Sequence, residues 1–427
     1  MRALTSHLNA RGFSDRLLVC FSLAFPKHLS IRPDPLLRNS MLTPESLFWI
    51  SLLLFIHPYS TYPLSLVCLK YFTKEKRTFR TEKFTSWDSV PRVSVLVVAH
   101  NEENAIRARL ENLFSIEYPA NRISILVVSD ASTDQTDSIV ESYCGTVKLI
   151  RSPVRIGKAA CTNLGLFEIR DEYVVFTDAN TEFDTDVISE LIRPFEDPSV
   201  GFVVGFQDYR AVKNAPAEKS ESSYSRIETW PKQMESDVSS VVGGDGAIMA
   251  IRRPLIGLLA SDDASDLRMP LECVAQGYRG VFLPEAKGWE VAPELFSDQL
   301  VRKTRIIHRS IRTTFRAWRA LNPFRTGWFA YMVVSHKLLR WFGPLTLILS
   351  VLCALLLTFQ GHPIYSLYLF AVILFMTVAG AYAIPAMRNR RAVYLSFYFC
   401  LVQYAALLAI FRLHRKSYYT LWKPVRD

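Results

Sequence analysis

The sequence predicts an α/β domain on a mainly parallel sheet, joined to membrane-spanning α-helices. Three observations predict it. Short apolar, β-branched runs alternate with helical stretches between residues 92 and 184. That is the pattern of a parallel sheet covered by helices on both faces. Successive runs end in polar clusters, where ligands bind in such sheets. Long apolar blocks of about the roughly 20 residues needed to cross a hydrocarbon core lie near the C-terminus.

RVSVLVVAHNEE (92–103) reads as a buried strand with a polar end, followed by the helical stretch AIRARLENLFSI. ISILVVSDASTDQT (123–136) is a second strand, and DSIVESYC its helix. VKLIRS is a third strand, and RIGKAACTNLGLFEI (155–169) continues as a helix after Gly157-Lys158. EYVVFTDANTEFD is the fourth strand. A later helix, LRMPLECVAQGY, is interrupted by Pro270.

The apolar blocks lie at about 47–70, 341–359, 364–386 and 392–412. The last three are nearly free of charge. The first carries His57, Pro58 and Pro63. The formal charge of +10 concentrates beside these blocks, at Lys74, Lys76, Arg77, Arg80 and Lys83 and at Arg388, Arg390 and Arg391. Juxtamembrane positive charge marks the cytoplasmic side and attracts anionic lipid. The expectation is a multi-pass protein of the inner (plasma) membrane with a cytoplasmic domain, contacting membrane lipids and no nucleic acid. Four crossings would place the basic tail HRKSYYTLWKPVRD on the opposite side. The seven cysteines show no CxxC spacing, so neither a disulfide framework nor a zinc site is expected. The organisation expected is a poorly ordered extension (1–40), an N-terminal membrane region (41–71), the α/β domain (72–296), amphipathic interfacial helices (297–336), C-terminal membrane helices (337–412) and a basic tail (413–427).

The strand ends carry the chemistry. Hydride transfer and ATP hydrolysis lack their fingerprints, since no GxGxxG follows the first strand and no GxxxxGK[ST] occurs. Asp178 and Asn180 offer oxygen ligands that suit one hard divalent cation, Mg2+ or Mn2+, shared with a diphosphate. Lys158 can add positive charge. Asp130 only accepts hydrogen bonds, so it can take a base N–H, with Ser132 beside it; Asp134 reads as a helix cap. In GGDGAIMAIRR (243–253) the glycines allow either close backbone approach to a ligand or a turn. Asp262, Asp263 and Asp266 precede a helix, where a carboxylate caps it or serves as a general base. In SDQLVRKTRIIHRSIRTTFRAWRAL (297–321) an apolar stripe runs beside an arginine stripe, as on a helix lying at a membrane surface.

SVLVVAHNEE, VVSDASTDQT, RIGKAACTN, FTDANTEFD, GGDGAIMAIRR and SDLRMPLECVAQGYRGVFLPEA, in that order, resemble family-2 glycosyltransferases of the Rossmann-like GT-A fold. The likeness is to bacterial membrane-embedded members related to cellulose and hyaluronan synthases, and it spans roughly 45–425. It implies that Ala99, His100, Asn101, Glu102 and Glu103 match the first nucleotide-contacting loop. Asp130 matches the carboxylate that reads uracil, and Lys158 the lysine after the third strand. Asp178 and Asn180 occupy the Asp-x-Asp metal motif, with Asn180 in place of the second aspartate. Gly244, Asp245 and Gly246 match the loop holding the acceptor.

For the general base the resemblance favours Asp266, which aligns without a gap to Gly277-Tyr278; Asp263 and Asp262 are the alternatives and need an insertion. The family's Gln-x-x-Arg-Trp motif is absent as such, and Arg302 and Arg305 fall in its region without the tryptophan. The expected function is inverting transfer from a nucleotide-sugar, a UDP-sugar first of all, to a growing polysaccharide or glycan. Single transfer to a lipid carrier is the alternative. A nucleotide-binding membrane protein without catalysis is the reading of another class. Four membrane segments are few for a built-in polymer channel, which a homo-oligomer or an export partner could supply.

Overall fold

The computed structural model describes residues 43–73, 90–210, 212–213 and 215–414. The expected extension at 1–40, the basic residues from Lys74 to Lys83 and the tail from residue 415 lie outside them.

Eight strands form one sheet: β1 (Val93–Ala99), β2 (Ile123–Ser129), β3 (Val147–Arg151), β4 (Tyr173–Asp178), β5 (Glu182–Phe183), β6 (Val200–Arg210), β7 (Met249–Arg252) and β8 (Arg279–Val291). Their order is β3-β2-β1-β4-β7-β6-β8-β5. The four strands legible in the sequence, β1 to β4, pair in parallel. β7 runs antiparallel to β4 and β6, while β6 and β8 are parallel. The sequence reading missed β5 to β8, although VGFVVGFQDYR and RGVFLPEAKGWEV are rich in strand formers.

All seven β1 residues are buried, as a central parallel strand requires. Alternate side chains enter two separate cores. Leu96, Val98, Val128, Val174 and Phe176 join one face; Val95, Val97, Val127 and Val175 join the other. Burying each such side chain contributes roughly 1.5–3 kcal/mol. Register then brings the strand ends together. Ala99 lies beside Ser129, and Val98 beside Asp178, so His100, Asp130 and Asp178 leave the sheet along one edge.

The helices are α1 (Pro44–Ile56), α2 (Thr61–Phe72), α3 (Ile106–Phe114), α4 (Thr136–Glu141), α5 (Lys158–Glu168), α6 (Val187–Ile192), α7 (Pro216–Val238), α8 (Ser265–Ala275), α9 (Phe296–Arg316), α10 (Pro323–Thr326), α11 (Trp328–Met332), α12 (Leu339–Phe359), α13 (Ile364–Gly380) and α14 (Arg391–Phe411). A π-helical turn, Val333–Leu338, joins α11 to α12. Among the described residues three helical segments are long and apolar enough to cross a membrane: Trp328–Phe359, Ile364–Ala383 and Arg391–Phe411. The first apolar block is not one straight helix. It is broken into Pro44–Tyr59 and Thr61–Phe72, bent by 60°, with the break at Ser60, whose backbone (φ −130°, ψ −71°) is not helical.

Two expectations need revision. Pro270 does not interrupt its helix, because α8 runs through it from Ser265 to Ala275. The arginine stripe of α9 is largely engaged within the protein. Arg302 bonds the Tyr209 hydroxyl at 3.0 Å, Arg309 the Asp263 carbonyl, and Arg312 and Arg316 the Asp262 carboxylate, each at 2.9 Å. The apolar stripe packs Ile307 and Ile311 against Ala405, Ala406 and Ala409 of α14.

Candidate active site

The ends of β1 and β2 are tied to each other. The Asn101 amide donates to Ser132 Oγ at 3.2 Å, and Asn101 Oδ1 accepts from the Thr133 amide at 2.8 Å. The Glu102 amide donates to Thr136 Oγ1 at 2.8 Å. Glu103 accepts from the Gln135 amide at 3.0 Å, and its own amide donates to Asp134 at 3.0 Å. Asp134 also accepts from the Thr136 amide at 3.0 Å, a local turn just ahead of α4, whose N-cap position is taken by Gln135 rather than by Asp134 as expected. Asn101 and Ala131 have φ of 52° and 53°, values that cost a non-glycine residue free energy and cluster at ligand sites. Ala99 and His100 are buried beneath this loop pair, and His100 Nδ1 lies 2.8 Å from the Asp130 carbonyl.

Asp130 is fully buried. Its carboxylate accepts from the Ile156 amide at 2.7 Å and the Gly157 amide at 3.1 Å. In this conformation it shapes the turn that starts α5, a role the sequence reading did not foresee. Gly157 occupies that turn with φ of 87°, which only glycine adopts at little cost. Lys158 follows as the first residue of α5, and its ammonium bonds the Asp178 carboxylate at the end of β4. Burial would lower the Lys158 ammonium, but Asp178 outweighs it and holds the pKa above the ordinary lysine value.

Lys158 and Asp266 line one small cavity with Thr177, Gly246, Met249, Ser265 and Met269. A Cβ on Gly246 would sit 3.4 Å from Lys158 Nζ and 3.6 Å from the Asp266 Cβ. The loop from Gly243 to Ala247 therefore closes directly over the lysine and the acid. At Gly244 a Cβ would meet the Asp266 carbonyl at 2.8 Å, so no larger residue fits without movement. Asp245 accepts from the Ala247 amide at 3.1 Å, and burial raises its carboxyl above the usual range.

The three candidate bases separate by environment. Asp263 is 1% exposed and ion-paired with Arg316, and it accepts from the Ala260 amide at 2.9 Å. Asp262 is held by Arg312 and Arg316. Both carboxylates fasten α9 to the loop before α8. Asp266 alone of the three faces the cavity.

Two charged groups of this site, Glu290 and Arg109, were missed from the sequence. Glu290 on β8 is buried and accepts from Thr181 Oγ1 at 2.8 Å. Burial, then the charge of Asp178, push its carboxyl up to about 7, against the opposing charge of Arg302. Arg302 is an α9 arginine whose charge is felt at Glu290. Arg305 lies one turn on in α9, half-buried. Arg109 of α3 is buried, donates to Thr177 Oγ1 at 2.9 Å and covers the Phe183 ring at 4.1 Å. Burial pulls its guanidinium down to about 9. Neither charge belongs to a sequence motif, so only the folded chain shows their partners.

The donor set fits a hard divalent cation. Asp178, Asp245, Asp266 and Glu290 act on one another as like charges, a surplus that such a cation would relieve. Among the described residues no three acidic, His or Cys groups gather as a full ligand set. Asp178 with Asn180 would supply part of a shell, and phosphate and water oxygens the remainder, as is usual for Mg2+.

Residues 94–257 match the family described as Glycosyl transferase family 2. This stretch is a family-2 glycosyltransferase domain. It includes β1 to β7 and the loop over Lys158. The chain is 29% identical over 277 residues to the probable glycosyltransferase YdaM of Bacillus subtilis (strain 168), covering 61% of this chain and 63% of that one. It is 25% identical over 232 residues to the poly-beta-1,6-N-acetyl-D-glucosamine synthase of Staphylococcus epidermidis (strain ATCC 35984), covering 52% and 56%. The match thus spans about three-fifths of the length of these curated relatives. Among solved structures, the fold resembles the mannosyltransferase PcManGT from Pyrobaculum calidifontis in complex with GDP-Man and Mn2+. The TM-score is 0.66 at 20% identity, covering 87% of this chain and 99% of that one. That neighbour has a GT-A fold, and the sheet here follows it.

Proposed function

We propose that this protein is a multi-pass membrane glycosyltransferase that moves a sugar, with inversion, from a nucleotide-sugar to an acceptor hydroxyl presented at the membrane face. The observation that carries the reading is the cavity shared by Lys158 and Asp266 beneath Gly246, next to Asp178.

In this mechanism the loops after β1 and β2 hold the nucleotide. Asn101, Glu102, Glu103 and Ser132 line that edge, with Asp130 below it toward the base. Asp266 accepts the proton of the acceptor hydroxyl, and the freed oxygen attacks the anomeric carbon from the face opposite the diphosphate. Gly244, Asp245 and Gly246 confine the acceptor against Asp266. Lys158 turns from Asp178 toward the diphosphate oxygens, and Arg305 adds charge from α9. Asp178 and Asn180 would hold Mg2+ or Mn2+, which when bound supplies Lewis-acid stabilisation of the leaving diphosphate. The names of the matched relatives and of the structural neighbour favour sugar nucleotides as donors and a glycan as acceptor. A UDP-sugar is the donor class to test first.

The test uses membranes containing the full chain, Mn2+ or Mg2+, and a panel of radiolabelled UDP- and GDP-sugars. Metal-dependent incorporation from one donor, lost in Asp266→Asn, is expected. Product size separates polymer growth from single transfer to a lipid. UDP binding without incorporation from any donor would instead favour a non-catalytic nucleotide-binding protein.

A further inference from the structure

A buried polar hub links the membrane helices to the loop over the cavity. Glu235, near the end of α7, is fully buried. One of its oxygens accepts from the Tyr62 hydroxyl of α2 and pairs with His336 Nδ1 of the π-helical turn. The other accepts from the Val242 amide at 3.0 Å. Val242 immediately precedes Gly243 and Gly244. The Gly244 amide donates to the Asp266 carbonyl at 2.7 Å.

That last bond exists because of Pro270. In a helix without proline the Asp266 carbonyl would accept from the amide four residues on. Proline has no amide hydrogen to give, so the carbonyl is open to the glycine loop. A continuous chain of bonds therefore runs from Tyr62 and His336, through Glu235, Val242 and Gly244, to the backbone of Asp266.

The other side of His336 is anchored separately. Its Nε2 lies 2.8 Å from Glu228, which also binds Arg340 of α12. The turn before α2 is fixed to the same π-helical turn, with His57 Nε2 3.0 Å from Ser335 Oγ. π-Helical turns are uncommon and recur at functional sites. Here the turn delivers His336 between two carboxylates of α7. Among the described residues, Glu228 bonds His336 and Arg340 of the membrane segment, whereas Glu235 bonds that segment and the loop.

We propose that Glu235 is a positioning residue, through which the membrane helices set the acceptor loop and the base Asp266 in place. The proposal rests on the glycosyltransfer reading for the name of that loop, but its geometry does not depend on a sugar. Burial would raise the Glu235 carboxyl, yet His336 beside it holds the group below the usual range, so it serves as a charged acceptor.

Amide hydrogen exchange on the full chain in detergent, without donor, tests this. Glu235→Gln and Tyr62→Phe should each speed exchange in residues 242–246 by about fivefold or more relative to β1–β3. Glu228→Gln breaks the parallel anchor and should leave 242–246 within about twofold of wild type. Affinity for UDP alone should stay within about twofold in all three. Unchanged exchange at 242–246 in Tyr62→Phe overturns the proposal, as does equal loosening by Glu228→Gln. Tyr62→Phe loses one hydroxyl and decides the matter if Glu235→Gln fails to fold. Absence of sugar transfer by the wild type would remove the proposed function and leave this result standing.

Discussion

The Lys158 ammonium donates to the Asp178 carboxylate, joining the first residue of α5 to the last residue of β4. Each side chain keeps about a third of its surface exposed, 29% and 33%. The pair is therefore accessible to a ligand, and a diphosphate with its cation would draw the two groups apart. Lys158→Met should lower transfer by on the order of 10²–10³-fold, the loss typical of one stabilising donor. Initial rates at saturating donor measure it. A variant within threefold of wild type would exclude Lys158 from the reaction.

Asp266 and Asp263 should fail in opposite ways. Asp266→Asn keeps the cavity shape and removes the proton acceptor. Transfer should fall by on the order of 10²–10⁴-fold with little change in melting temperature. Asp263→Asn leaves Arg316 short of a charged partner and disturbs the loop before α8. It should cost roughly 2–3 kcal/mol, below the figure for a fully buried pair because Arg316 is a third exposed. Activity per folded molecule should persist. The reverse pattern would move the base to Asp263.

Glu290 gives a pH signature. Its carboxyl is held near 7, against an ordinary value of 4.5. Between those values the folded chain keeps a proton that the unfolded chain has released. Stability from this group is therefore complete below about pH 4.5 and declines as pH rises toward about 7. Glu290→Gln keeps an oxygen for Thr181 and ends the titration. In metal-free buffer the variant should be more stable than wild type by about 1–3 kcal/mol near pH 8, and nearly equal to it near pH 4.5. Parallel pH profiles for the two proteins would refute this.

The sequence made the parallel half of the sheet legible because β1 to β4 are apolar, regularly spaced and followed by helices. Asp178, Lys158 and Asp266 were legible because they stand at strand ends or before a helix. The other half was not, since β6 and β8 pair in parallel across a separation of roughly 80 residues. Glu290, Arg109 and Glu235 were illegible for one shared reason. Each is a single charge whose partners come from distant elements, and no local pattern encodes such a partnership. Asp130 was seen as a ligand residue, but only the folded chain places the Gly157 amide against it.

Asn180 offers the last test. An aspartate there adds one negative charge where Asp178, Asp245, Asp266 and Glu290 already repel one another. Without a cation, Asn180→Asp should destabilise the domain and raise Glu290 further. With a cation, the added charge should tighten binding by on the order of tenfold, as ligand charge count does at oxygen sites. Melting curves with and without Mn2+ read both effects. The variant should melt below wild type in chelator and gain more on Mn2+ addition. A variant that melts lower and gains no more than wild type would mean that position 180 does not face the cation. The metal would then be held by Asp178 and the diphosphate alone.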